Sequence, residues 1–203
     1  MTVASLLGLL YPRLHAVSDA DLVWWTKADL IGWINEGITQ LCHRADILVY
    51  RNTADSTASG DKLYDLPAGA LKVVDVAVAG QPLRPASMAE LDALDHTGEA
   101  TFCDEGARPT HWFNEGLGLA QIGLYPVPIA AEQISKVYAG EPGAELAEGS
   151  TIPLPDLLAG YLMDYALERA YAKRGEAGMP EVAEHLRGKL EIYYAAAAAY
   201  WGD

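Results

Sequence analysis

Two rows of apolar residues at helical spacing, one toward each end of the chain, set the main constraint on the fold. The first is Leu30, Ile34, Ile38, Leu41 and Ala45; the second is Val182, Leu186, Leu190, Tyr193, Ala197 and Tyr200. Steps of three and four residues place each row on one face of an amphipathic helix. Such a helix is stable in water only when that face is covered. Thr26-Lys27-Ala28-Asp29 has the form of a capping box, with Asp where Glu is usual, so the first of these helices is predicted over 27–45. Gly32 and Gly37 each lower its propensity by about 1 kcal/mol relative to Ala and leave room for a close neighbour. Gly178-Met179-Pro180 opens the last helix, in which the run Ala195 to Ala199 favours helix and permits close packing. A third face, Leu158, Tyr161, Leu162, Tyr165 and Arg169, follows Pro155 at a first helical position and stops at Gly175. Residues 3–15 read as a short amphipathic helix disturbed by Pro12, not as a signal peptide, because no basic stretch precedes the apolar one.

The middle of the chain has a different grammar. Ile47 to Tyr50, Lys62 to Pro67, Leu71 to Val78, Pro109 to Phe113, Leu117 to Tyr125 and Gln133 to Tyr138 read as strands, from their β-branched and aromatic content and the Gly and Pro residues around them. Leu119, Gln121, Gly123 and Tyr125 fall on one face of the fifth; Ala120, Ile122 and Leu124 fall on the other. Thr53 to Asp61 reads as a mobile loop or hairpin tip, and Ser87-Met88-Ala89-Glu90 as a second capping box opening a short helix. The terminal stripes can be buried only against one another. The expected fold is therefore α+β: a helical bundle from residues 1–46 and 150–203, with an inserted β-rich subdomain over 47–149.

Charge narrows the function. The formal net charge is −14, with 14 basic against 28 acidic residues and no basic run. Gripping nucleic acid requires Lys and Arg to displace phosphate counterions, so specific or tight DNA or RNA binding is excluded, whereas a repelling surface beside sliding DNA is not. No apolar stretch of about 18 residues is present, so no membrane span is expected. Cys42 and Cys103 read as free thiols, since nothing points to secretion.

The known catalytic signatures are absent. There is no P-loop, no Gly-x-Gly-x-x-Gly and no Gly-x-Ser-x-Gly elbow; Gly116-Leu117-Gly118 comes nearest, but precedes a strand. His96, Cys103, Asp104 and His111 cluster only loosely, and Glu181, Glu184 and His185 lack matching ligands on other helices, so they read as surface polar groups and a surface ion pair. No catalytic residue, metal ligand set or cofactor is identified. A pair of carboxylates in a cleft, as in a small hydrolase, leaves no signature that a sequence with this many acids would reveal.

The aromatic residues point elsewhere. Trp24, Trp25, Trp33, Trp112 and Trp201 and eleven tyrosines are many for this length. Most such rings fill a core or its rim, and the others mark subunit interfaces, where Tyr and Trp are enriched. Tyr193, Tyr194, Tyr200 and Trp201 share one helix and cannot all face one core. With Trp24 and Trp25 they are the interface candidates.

A series of short motifs runs in order through nearly the whole chain. It begins with Trp33-Ile34-Asn35-Glu36-Gly37-Ile38 in the first long helix and Tyr64-Asp65-Leu66-Pro67 in a strand. Gly80-Gln81-Pro82-Leu83-Arg84-Pro85-Ala86-Ser87 then leads into a short helix, and Arg108-Pro109-Thr110-His111-Trp112 follows. Leu124-Tyr125-Pro126-Val127-Pro128 and Ile134 to Tyr138 stand in the later strands. Ile152-Pro153-Leu154-Pro155 and Met179-Pro180-Glu181-Val182 open the last helices. In this order the set resembles the head-to-tail adaptor, or neck, proteins of tailed bacteriophages. Two departures stand out: the Pro12 break, and a very short or missing tail of the kind some members thread into the portal. The resemblance implies a structural virion protein without catalysis, made in the host bacterial cytoplasm. It also implies a ring of about twelve copies docked on the portal protein, extending the channel through which genomic DNA passes and carrying the tail or nozzle protein. A stopper or tail-completion component is the neighbouring alternative.

Overall fold

The computed structural model describes residues 1–94, 108–173 and 178–201. The chain divides into two compact units, Met1–Leu48 with Glu141–Asp203, and Val49–Gly140.

The first unit is helical. Helix α1 (Val3–Leu10) ends where Pro12 forces one tighter 3-10 turn over Tyr11–Leu14. Helix α2 (Lys27–Ala45) starts at the Thr26 capping box, in which the Asp29 carboxylate accepts the Thr26 N–H at 2.8 Å and Thr26 Oγ1 accepts the Asp29 N–H at 3.0 Å. Helix α4 (Ala159–Ala172) and helix α5 (Pro180–Trp201) complete the unit; α3 (Met88–Leu94) belongs to the other one. Pro155 stands one step earlier than expected, before a 3-10 turn at Asp156–Leu158 that delays α4 to Ala159. Gly175, expected as the stop of α4, lies outside the described residues.

Helices α2, α4 and α5 pack on one another, and α1 leans on α2 and α4. The predicted α2 stripe is buried from Leu30 to Ala45, as are Leu158, Tyr161, Leu162 and Tyr165. Burying each large aliphatic side chain contributes about 2 kcal/mol. The seam of α5 differs from expectation. Ala183, Leu186, Leu190, Tyr194 and Ala197 face inward, while Val182 and Tyr200 face water. Leu186, Leu190 and Ala197 keep their expected places, while Ala183 and Tyr194 take the inward positions expected of Val182 and Tyr193. This facing lets the Lys189 ammonium reach Asp164 at 2.6 Å and the Arg187 guanidinium reach Glu168 at 2.6 Å. Both carboxylates are buried on α4, where removing either cation would strand a charge.

Residues 141–149, expected with the β-rich insertion, run along the helical unit instead. The N–H groups at the start of α1 donate to Glu148 and Ser150 carbonyls, and the Asn35 amide holds Leu146. The free N–H groups of a helix start attract extended backbone in this way.

The second unit holds two four-stranded sheets. One is ordered β1-β8-β3-β4, from Val49–Asn52, Ile134–Gly140, Ala70–Val78 and Gln81–Pro82, all antiparallel. The other is ordered β2-β7-β6-β5, from Leu63–Asp65, Gln121–Tyr125, His111–Phe113 and Arg84–Pro85, with only β5–β6 parallel. Val73, Val76, Val78 and Ile134 from the first sheet meet Tyr64, Trp112, Ile122 and Leu124 from the second in one core. The other face of β7 is covered too. Tyr125 packs with Phe113 and with Leu91 of α3 (Met88–Leu94), and the Phe113 ring sits where a side chain on Gly123 would be. The strand expected from 117 begins only at Gln121, because Gly116 and Gly118 adopt positive φ and a 3-10 turn fills Gly118–Ala120. The 53–61 segment, expected as a mobile loop or hairpin tip, is tied by hydrogen bonds to residues 128–132. Thr57 is buried, its N–H donates to the Glu132 carbonyl at 2.7 Å, its hydroxyl donates to the Ala130 carbonyl at 2.8 Å, and the Gly60 N–H donates to Pro128.

Candidate assembly surfaces of the helical unit

The six aromatic candidates separate into two kinds. Trp25 is 6% exposed; its indole N–H donates to the Ala170 carbonyl at 3.1 Å, and its ring meets Tyr171 edge-on. Tyr194 is 8% exposed and lies in a polar aromatic cluster. The Tyr161 hydroxyl donates to the Gly37 carbonyl at 2.9 Å and shares a hydrogen bond with the Tyr194 hydroxyl at 3.0 Å, while the Arg44 guanidinium sits 4.1 Å above the Tyr194 ring. These two residues bind the helices of their own chain together. Trp24 and Tyr200 instead face water, at 51% and 78% exposure, and Tyr193 and Trp201 are half-buried at the edge.

The exposed aromatics gather at two places. Around the last turns of α5, Leu157, Leu158, Tyr193, Ala196, Ala197, Tyr200 and Trp201 line an apolar groove of about 360 Å³. Tyr200 and Trp201 touch edge-on, with centroids 4.7 Å apart. Near the start of α5, Leu14, Val23, Trp24, Trp25, Tyr171 and Met179 border a second hollow of about 360 Å³, rimmed by His15 and Asp21. Leu157, Val23 and Met179 are exposed beside these rings and were not read from the sequence as interface residues. One signal was available: no residue from Ile192 to Trp201 is charged, in a chain where 21% of residues are.

The chemistry of the unit's polar pocket is that of a clamp. Arg44, Glu168, Arg169, Arg187 and Glu191 surround a space of about 200 Å³. Arg44 pairs with Glu191 at 3.1 Å, Arg187 pairs with Glu168, and Arg169 pairs with Glu36. The two buried carboxylates, Asp164 and Glu168, are thus each engaged by a cation of α5, an arrangement that fastens helices. Burial pushes the Tyr165 hydroxyl up to about 12 and the Cys42 thiol up to about 12, and raises Tyr161 further. All three therefore stay protonated and poorly nucleophilic near neutral pH.

Cys42 is a buried free thiol; His96, Cys103 and Asp104 lie outside the described residues. His111 shares a hydrogen bond with Thr110 Oγ1 at 2.9 Å. Glu181 and His185 form no ion pair with each other. Among the described residues no three His, Cys, Asp or Glu side chains converge on a metal position, and no helix is long and apolar enough to cross a membrane.

A helical unit with an inserted two-sheet unit, and exposed aromatic rings gathered at two places on the helical unit, fits a protein that assembles with others. The sequence matches the family described as SU10 adaptor protein over residues 1–202, and the chain belongs to that family. Membership makes it a phage head-to-tail adaptor, a component of the virion. A search of the curated proteins returned no match.

Proposed function

We propose that this chain forms a ring, of about twelve copies, that docks on the portal, lengthens the DNA channel and presents the platform to which the tail or nozzle attaches. It does so without catalysis. The observation that carries this reading is the family match over residues 1–202, taken with a helical unit whose largest exposed rings cluster at two surfaces. Trp24, Tyr193, Tyr200 and Trp201 are the assembly residues; Trp25 and Tyr194 hold those surfaces in shape from beneath. A net charge of −14 suits a conduit wall, because a repelling field lets DNA slide without adsorbing.

Co-expression with the portal protein of the same genome, followed by co-sedimentation, tests the reading. A stable complex that Tyr200→Ala with Trp201→Ala weakens, at unchanged thermal stability, supports it. A folded protein that ignores the portal and binds only to a tailed particle would instead make it a tail-completion component.

A further inference from the structure

The two sheets of the β-rich unit have four edges, and three of them are closed to a further strand. Backbone groups alternate along a strand, so every second residue points away from the paired neighbour. At β4 the Leu83 N–H donates to the Val76 carbonyl, which turns Pro82 outward. At β5 the N–H groups of Arg84 and Ala86 donate to the Thr110 and Trp112 carbonyls, which turns Pro85 outward. Neither proline has an N–H to offer an incoming strand. At β2 the Asp65 carbonyl, which points away from β7, accepts from the buried Lys136 ammonium at 2.5 Å. Natural sheets protect their edges from other chains by such means.

The edge at β1 is left open. On β8 the Ile134 N–H donates to the Asp55 carbonyl. The alternation then aims the groups of Lys136 and Tyr138 at β1, where their partners are Asn52 and Tyr50. The N–H and carbonyl groups of Val49 and Arg51 therefore point outward. Both residues are exposed, Val49 at 58%, and β1 holds no proline. Arg51 forms no ion pair among the described residues. Asp75 of β3 stands in its row but two strands away, at about 10 Å.

We infer that β1 is a docking edge, at which an extended segment of another virion protein adds a strand to the sheet with an acidic side chain beside Arg51 and an apolar one beside Val49. This docking rests on the reading of the chain as an assembly component. Outward N–H and carbonyl groups two residues apart are matched by extended backbone; the main-chain bonds give affinity and the side chains give specificity. Val49 and Arg51 share one face of the strand. The incoming segment therefore carries its apolar and acidic residues two apart as well, because facing side chains pair directly across strands. The net charge of −14 repels an acidic segment at long range, but screening limits that field to about 8 Å at physiological salt, and at contact the unpaired guanidinium decides. A second copy does not fit. A ring is built from two different surfaces, and the other edges that a copy could bring to β1 are the closed ones.

A photo-crosslinking residue in place of Val49, irradiated in tailed particles, identifies the occupant. The expected product joins this position to one segment of a different virion protein, in which an apolar and an acidic residue lie two apart. A product with another copy of this chain, or none from particles that contain the protein, overturns the inference. Particles assembled with Val49→Pro, Arg51→Glu or Arg51→Lys test the contact itself. Val49→Pro removes an outward N–H and leaves the β1–β8 bonds in place. Val49→Pro and Arg51→Glu should each lower the yield of tailed particles at least about tenfold, and Arg51→Lys should retain most of it. Circular dichroism melts check folding, and Arg51→Glu, at an exposed position, stands as the test if Val49→Pro melts early. Particles that contain the protein and tolerate both substitutions sink this inference alone. Tailed particles that form without the protein sink the adaptor reading and the docking edge together.

Discussion

Asn35 of α2 grips the backbone of Leu146 with both ends of its side-chain amide: Nδ2 donates to the Leu146 carbonyl at 3.1 Å, and the Leu146 N–H donates to Oδ1 at 2.9 Å. A side-chain amide can donate and accept at once in this way without carrying charge. It fixes the segment that returns to the helical unit after the β-rich insertion. Asn35→Ala leaves a backbone donor and acceptor without partners and is expected to cost about 1–3 kcal/mol, read as a lower urea midpoint by far-ultraviolet circular dichroism. Asn35→Asp keeps the acceptor but sets a carboxylate against a carbonyl, so it should not restore stability.

The two glycines of α2 should respond oppositely to alanine. A Cβ on Gly37 would lie 3.1 Å from the Tyr165 ring, whereas one on Gly32 meets nothing within 4 Å. Gly32→Ala is expected to stabilise by about 1 kcal/mol through helix propensity. Gly37→Ala is expected to lose more than that gain by pushing α4 away from α2. Thermal melts of the two single variants check the sign of each.

Stability should fall on the alkaline side. The Cys42 thiol is raised from 9.0 to about 12 and the Tyr165 hydroxyl from 10.0 to about 12, each chiefly by burial. A group whose folded pKa is raised holds its proton more tightly in the folded state. Its contribution is therefore complete below the unfolded pKa and is lost as pH rises through the folded one. The urea midpoint is expected to hold to about pH 8–9 and drop steadily toward pH 12. Cys42 should resist a thiol reagent until the helical unit unfolds. On the acid side, the Thr26 N–H holds Asp29 below its usual range and the Ser87 N–H does the same for Glu90. That part of the stability is present above about pH 4 and is lost as pH falls through the lowered values.

Lys136 of β8 is a buried cation whose ammonium donates to Asp55 Oδ2 at 2.6 Å and to the Asp65 carbonyl at 2.5 Å. It ties the 53–61 segment and β2 to the first sheet. Lys136→Ala is expected to cost about 2–3 kcal/mol, the half-exposed Asp55 regaining water. Lys136→Met should cost less, because its stem still packs. Limited proteolysis within 53–61 should accelerate in the same order.

How much of this was legible in the sequence depended on how local the signal was. The start of α2 and that of α3 were readable because Thr26 with Asp29 and Ser87 with Glu90 satisfy helix-end donors within four residues. The pairing of strands was not. β2, β5 and β6 contain two or three residues, too few for alternation to fix partners or register. The 53–61 segment looked like a free loop because its anchors, Pro128, Ala130 and Glu132, lie far along the chain. On α5, Tyr193 and Tyr194 are interchangeable by hydropathy, and contacts distant in the chain decide between them: the Tyr161 hydroxyl and Arg44 against Tyr194, and the ion pairs with Asp164 and Glu168. Surplus aromatics marked Trp24 and Tyr200 as interface candidates, and both rings are exposed. Leu157 and Val23 carried no such mark, because a single apolar residue in a short connection looks the same whether it ends inside or out.

The measurement that tests the central claim most directly is electron microscopy of this protein co-expressed with the portal encoded in the same genome. The account predicts a ring of about twelve copies stacked coaxially on the portal, its channel continuous with the portal's. A portal ring that bears none of this protein, with both chains folded and no tail present, would contradict it.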